Sequence, residues 1–147
     1  MRSRSAERPT DYSLNISAYS EADELFRTGR YREALRLFQV SADADPTDGD
    51  CWMAIGTCHD ALKQPVRAEA AYRKALELSE PQQHPALHFN IGNSYFDRGM
   101  FSEAVSCYGL VPKGHKVWPA AERNRQLALT ELGANNSFKP NPLRGSA

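Results

Sequence analysis

The sequence predicts an all-α fold in which helical hairpins repeat along the chain and stack into a solenoid. The clearest hairpin, residues 52–81, has the spacing W-x2-I-G-x2-H, followed by A-x3-Y and a closing proline. The small residues Gly56 and Ala68 would let two antiparallel helices approach closely, with the bulky residues at helical spacing around them. A single hairpin cannot bury both of its apolar faces, so this pattern predicts neighbouring hairpins on both sides.

A 34-residue period is the second observation, and it fixes the first repeat at residues 15–48. Ala34 precedes Ala68 by 34 residues, and Phe38 precedes Tyr72 by the same interval. Gly29 marks the turn between the two helices of this repeat.

The second repeat spans 49–82, with Thr47 or Asp48 as the N-cap of its first helix and Pro65 at the start of its second. The third repeat spans 85–110 and has its turn at Gly99. Its glycine, Gly92, follows Gly56 by 36 residues, so two residues are inserted, and we place them in 81–83.

The two ends of the chain differ from the repeats. Residues 118–133 predict a seventh helix that ends at Gly133 and covers the open face of the last repeat, as a solenoid terminus requires. We expect a flexible arm over 1–14 and a disordered tail over 134–147, where no apolar period is present. The apolar stripe expected to face the last repeat is Ala121, Leu127, Ala128 and Leu132.

Composition excludes several classes of function. Net charge is zero, but residues 11–110 hold 9 Lys and Arg against 15 Asp and Glu, which argues against a nucleic-acid surface. No segment resembles a secretory signal or has the ~20 apolar residues of a membrane span. Three cysteines lie inside helical patterns, and we interpret them as reduced core thiols of a cytoplasmic protein.

No constellation in the sequence predicts catalysis, a cofactor or a metal. His84 and His88 are four residues apart, but no third ligand accompanies them at a suitable spacing. His59 replaces the usual aromatic residue of the repeat and is interpreted as a packed core histidine. The chain has no glycine-rich phosphate loop and no convergent set of titratable groups, so we expect no enzyme.

Over roughly residues 15–133 the chain resembles the tetratricopeptide repeat family, whose pattern is W-x2-L-G-x2-Y, A-x3-F and P. The resemblance implies a right-handed α-solenoid of three hairpins plus a C-terminal capping helix. It also implies a concave groove that is lined by the first helix of each hairpin and holds a peptide or helix of a partner protein. The groove residues implied in this sequence are Tyr19, Asp23, Phe26, Asp50, Met53, Thr57, Asp60, Phe89, Asn93 and Phe96.

One branch of the family, the co-chaperones of the 70- and 90-kDa heat-shock proteins, clamps a C-terminal carboxylate with basic residues. The matching positions here contain no basic residue, and an acid at Asp23 would repel a carboxylate, so we exclude that branch. Those positions are Tyr19, Asp23, Ala54, Ala86 and Asn90.

Two alternatives remain open. The chain is also similar to the chaperones of type III secretion translocators in its size, its repeat number and its G-x-Y-x-x-A-x-x-x-F-Q run over 29–39. It lacks a counterpart to their N-terminal dimerisation helix in residues 1–14. The other alternative is a scaffold subunit or homo-oligomer with a permanently filled groove. The basic tail segment 137–143, with apolar anchors Phe138 and Leu143, is a candidate occupant.

Overall fold

The structure is a computed structural model that describes residues 11–137, and within that range it contains seven α-helices, one 3₁₀ turn and no strand. The helices form three hairpins stacked in an α-solenoid, closed by a C-terminal helix, as predicted. The elements are α1 (Asp11–Arg27), α2 (Tyr31–Ala44), α3 (Gly49–Ala61), α4 (Pro65–Leu78), α5 (His84–Asp97), α6 (Phe101–Tyr108) and α7 (Trp118–Ser137).

Consecutive helices pack against each other along the whole solenoid, within each hairpin and from one hairpin to the next. Small buried residues recur at each of these contacts, because only they allow close helix approach. Fully buried alanines of this kind are Ala22, Ala34, Ala68, Ala75, Ala104, Ala121 and Ala128.

In two of the hairpins a glycine of the first helix packs directly against a tyrosine ring of the second. A Cβ atom added to Gly56 in α3 would lie 2.5 Å from Cε1 of Tyr72 in α4. The third repeat repeats this contact, since a Cβ on Gly92 in α5 would lie 2.7 Å from Cε1 of Tyr108 in α6. Both tyrosines are buried. The glycine of the sequence pattern is therefore required by the ring that packs on it, and the same contact positions both hairpins.

The turn inside each hairpin uses one residue in the left-handed region. Gly29 has φ 81° and Gly99 has φ 72°, as expected for glycine. Lys63 occupies the equivalent place in the second repeat with φ 60°, so a non-glycine residue adopts the conformation there at a cost of about 1–2 kcal/mol.

The N-cap of α3 is Asp48, one of the two residues predicted. Its carboxylate accepts hydrogen bonds from the backbone N–H groups of Asp50 and Cys51, at 3.0 and 3.3 Å. Thr47 donates to Asp45 instead. The inserted residues before the third repeat form the 3₁₀ turn Pro81–Gln83, at the predicted position.

The second and third repeats are also joined by an ion network. Glu69 in α4 accepts from Arg73 at 2.9 Å and from Arg98, at the end of α5, at 2.8 Å. Both guanidinium groups lie over the ring of Tyr95, whose hydroxyl donates to the same carboxylate at 3.2 Å. Burial opposes ionisation of Glu69, but these donors lower its pKa below the usual value. The contact fixes the orientation of α5 relative to α4.

The predicted ends of the folded region need correction. Helix α1 begins at Asp11, so residues 11–14 are helical rather than part of a flexible arm; an acidic first residue favours a helix N-terminus. Helix α7 continues past Gly133 to Ser137, because one glycine in a helix costs only about 1 kcal/mol and does not end it. The predicted flexible arm over 1–10 and disordered tail over 138–147 lie outside the described residues.

The stripe predicted for α7 is correct in part. Ala121 and Ala128 are fully buried, and Leu132 is half-buried. Leu127 is 51% exposed, since it lies about 100° around the helix from Ala128.

None of the helices in residues 11–137 is long and apolar enough to cross a membrane.

Replacing Gly56 with Ala tests the glycine–tyrosine contact. The new methyl group would overlap a ring that has no room to move, so we expect unfolding free energy to fall by about 1–3 kcal/mol. Gly133→Ala is the matched control, because a Cβ atom added there would have no neighbour within 4 Å and Ala favours a helix by about 1 kcal/mol. Urea denaturation followed by circular dichroism measures both, and equal stability of the two variants would contradict the packing described here.

Candidate partner-binding groove

A pocket of about 190 Å³ lies between α1 and α3, the first helices of the first two repeats. Six of its eight lining residues are among the predicted groove residues, and the other two are Phe38 and Ala54. The six are Tyr19, Asp23 and Phe26 of α1 with Asp50, Met53 and Thr57 of α3.

The pocket forms because each helix presents one face to it. In both helices the lining residues follow steps of three and four, which keeps them on one side of the helix. The ring of Phe38, from α2, fills the space behind them and meets Tyr19 edge-on at 5.2 Å between ring centroids. Phe26 is fixed at the other end by a tilted contact with Tyr31 at 5.1 Å.

Sequence reasoning missed Phe38 because the repeat pattern marks it as a core residue. It is a core residue, with 2% of its surface exposed, yet that exposed edge contributes to the pocket wall. The pattern gives the direction of the side chain but not how far the helices on either side separate. Ala54 was identified only as a position of the carboxylate clamp, and its small side chain leaves space beside Met53.

The pocket is apolar with an acidic rim. Asp23 pairs with Arg27, one turn later in the same helix. Asp50 is exposed and accepts a hydrogen bond from the neutral amide of Gln83 at 2.9 Å. Burial, followed by the charges of Asp50 and Asp48, raises the pKa of Tyr19, which therefore stays a neutral hydrogen-bonding phenol in the pocket.

Asp60, a further predicted groove residue, joins two repeats instead of lining this pocket. Its carboxylate accepts from the Tyr72 hydroxyl at 2.7 Å and from Ser94 Oγ of α5 at 3.4 Å. Burial raises the pKa of Asp60 above its usual range, although the Tyr72 hydrogen bond works against this. These contacts give Asp60 a structural role in the second repeat.

The three predicted residues of the third repeat lie on α5, apart from the pocket. Phe89 is tilted against Tyr108 with 6.0 Å between ring centroids, and Phe96 meets Phe101 edge-on at 5.1 Å. Both phenylalanines pack against the core cluster that α7 completes. Much of their surface is thus used inside the protein.

Asn93 has a comparable internal role. Its side-chain oxygen accepts from the Tyr108 hydroxyl at 2.7 Å and from Asn124 Nδ2 of α7 at 3.0 Å. The capping helix therefore contacts a predicted groove residue of the third repeat. The pocket described above lies in the first two repeats.

Other reactive side chains of residues 11–137 do not form a catalytic set. Burial raises the pKa of the Cys51 and Cys58 thiols to about 11, which disfavours the nucleophilic thiolate, and Cys51 donates to the Phe38 carbonyl. His59 Nδ1 lies 2.8 Å from Gln64 Oε1, as fits a packed histidine. No group of three or more His, Cys, Asp or Glu within the described range could hold a metal ion.

Comparison with known proteins identifies the repeat. The family model described as tetratricopeptide repeat matches residues 19–83. Among curated proteins, the general transcriptional corepressor ssn6 of Schizosaccharomyces pombe is 32% identical over 88 residues, which is 57% of this chain. The chain covers only 8% of the length of that protein.

Solved structures show the same fold. The first TPR domain of Spaghetti (RPAP3), bound to an HSP90 peptide, aligns with a TM-score of 0.73 at 19% identity, covering 82% of this chain and 94% of that one. The type III secretion translocator chaperone SycD of Yersinia enterocolitica also aligns with a TM-score of 0.73 at 19% identity, covering 82% and 95% of the two chains. At such identities the likeness concerns the fold alone.

Replacing Asn93 with Ala tests whether this side chain stabilises the fold through its internal hydrogen bonds. The change leaves the Tyr108 hydroxyl and the Asn124 amide without their acceptor, so we expect a loss of about 1–3 kcal/mol in unfolding free energy. The control is Asn90→Ala, earlier in the same helix, where the described structure shows no side-chain hydrogen bond. Thermal unfolding compares them, and an Asn93→Ala variant as stable as the control would refute the internal role.

Proposed function

We propose that this chain, whose residues 19–83 match the tetratricopeptide repeat family, is a non-enzymatic protein-interaction module. An extended peptide or a helix of a partner protein binds in the pocket between α1 and α3. The observation that carries this proposal is the pocket itself. It combines half-buried apolar side chains with polar groups at its edge, the usual composition of a recognition site.

The repeats differ in how much open space their groove residues line, and this difference supports a binding site in the first two repeats. Phe89 and Phe96 of the third repeat have aromatic partners within the protein, as Tyr19 and Phe26 of the first repeat do, but they do not line the pocket. Met53 and Thr57 in the second repeat line open space instead. A ligand gains most by covering apolar surface that the protein leaves uncovered, so the first two repeats are favoured.

The pocket volume limits the size of the anchor. About 190 Å³ accommodates one large side chain or two small ones, and the remainder of the ligand would lie along the two helices. Burying a large apolar side chain contributes about 1.5–3 kcal/mol, from which the cost of ordering the peptide is subtracted. Two or three such contacts are consistent with affinity in about the micromolar range.

The acidic rim of the pocket disfavours partner peptides that carry carboxylates. The RPAP3 domain above was solved with the HSP90 peptide SRMEEVD. A peptide of that kind brings carboxylates to the groove, where Asp23 and Asp50 would repel them. We therefore infer that this module does not bind the acidic C-termini of heat-shock proteins.

Replacing Met53 with Ala tests the proposed site directly. Peptides that bind the full-length chain are first selected from a random display library, and their affinity for each variant is then measured by fluorescence anisotropy. Loss of the Met53 contact should weaken binding by about tenfold or more, because burial of this side chain contributes over ~1.4 kcal/mol.

Leu127→Ala is the control, since it removes an equally apolar side chain that is 51% exposed on α7 and outside the pocket. It should leave affinity unchanged. The proposal would be refuted if the library yielded no binder, or if Leu127→Ala weakened binding while Met53→Ala did not. Circular dichroism of both variants confirms that the fold is retained.

A further inference from the structure

The pocket between α1 and α3 has a charge of one sign. Asp23 and Asp50 line it from opposite helices, and none of its described lining residues is cationic. Its remaining lining residues are aromatic, aliphatic or small, so a ligand meets an apolar floor between two carboxylates. A bound segment that supplied no positive charge would leave both carboxylates partly desolvated without compensation.

The protein compensates these two carboxylates only in part. Arg27 pairs with Asp23, but its side chain is 68% exposed, and Glu24 approaches it as well at 3.7 Å. Asp50 receives a hydrogen bond from the amide of Gln83, which carries no charge. Neither contact supplies a cation inside the pocket.

A third carboxylate adds to the negative field. Asp48 caps α3. Burial is the largest cause of the raised pKa of Tyr19, and the charges of Asp50 and Asp48 raise that pKa further. The whole segment 11–110 is acidic as well, with 9 Lys and Arg against 15 Asp and Glu. Long-range attraction therefore favours the same ligands as the pocket does.

We propose that the pocket selects partner segments in which an aromatic or aliphatic anchor is flanked by Lys or Arg. The anchor contacts Tyr19, Phe26 and Met53, and the cation lies between the carboxylates of Asp23 and Asp50. The segment is not the C-terminus of its protein, because a terminal carboxylate adds charge of the wrong sign. This inference rests on the proposed function and specifies its partner.

The test uses the full chain and a random-peptide library displayed in two forms, with a free C-terminus and with the C-terminus fused. The variant is Asp23→Asn with Asp50→Asn, which keeps the shape of both side chains and removes both charges. The control is Asp43→Asn with Glu103→Gln, which makes the same change in net charge at exposed positions outside the pocket.

We expect peptides selected by the unmodified chain to be enriched in Lys or Arg beside an apolar residue, in both display forms. Peptide affinity should fall about tenfold in the pocket variant, because each exposed charge pair that is lost costs about threefold to fivefold in affinity. In the control variant, affinity should remain within about twofold of that of the unmodified chain. Raising the salt concentration should weaken binding to the unmodified chain more than to the pocket variant.

Three outcomes would overturn the inference: selected peptides without basic residues, a requirement for the free C-terminus, or equal affinity of pocket and control variants. After any of these three outcomes, the proposed binding groove still stands if Met53→Ala weakens peptide binding. A library that yields no binder refutes both the groove and its preference for basic segments. Removal of residues 138–147 would give tighter peptide binding if the chain's own tail competed for the pocket, through Phe138-Lys139 or Leu143-Arg144. That result would make the tail the occupant and would overturn the assignment to a partner segment.

Discussion

The packing of a tyrosine ring on a glycine is the contact on which the other features depend. Tyr72 covers Gly56 and Tyr108 covers Gly92, with no space for even a methyl group between them. This contact sets the distance between the two helices of a hairpin and the rotation of each helix about its axis. Once the glycine face of α3 is turned toward α4, the neighbouring face that carries Met53 and Thr57 is turned toward α1. The pocket between α1 and α3 follows from that rotation.

The same two tyrosines help to explain why the second and third repeats, which share a sequence pattern, differ in their binding surfaces. Each hydroxyl reaches past its glycine to a polar residue on the first helix of the hairpin, Asp60 in the second repeat and Asn93 in the third. Asn93 also receives the amide of Asn124, so the capping helix is drawn over the third repeat. The terminal helix that completes the solenoid thereby contacts a residue predicted to line the groove, whereas the described pocket lies in the first two repeats.

Much of the fold could be predicted from sequence because local spacing determines it. The 34-residue period, the cap at Asp48 and the insertion at 81–83 each depend on a few neighbouring residues. Six pocket residues were implied by the resemblance to the tetratricopeptide repeat family, whose pattern marks the groove-facing positions, and helical periodicity keeps those positions on one face. Periodicity does not tell what covers that face. The aromatic partners of Phe89 and Phe96, and the exposure of Leu127, depend on where α6 and α7 settle, which is decided by contacts distant in the sequence.

The central claim is that a partner segment lies between α1 and α3, and intermolecular nuclear Overhauser effects test it most directly. The full chain is labelled at its methyl groups and mixed with an unlabelled peptide chosen from the display library. We expect contacts between the Met53 methyl group and the apolar anchor of the peptide. Contacts at the methyl groups of Leu127 on α7 or Val66 on α4, both exposed and outside the pocket, with none at Met53, would contradict it.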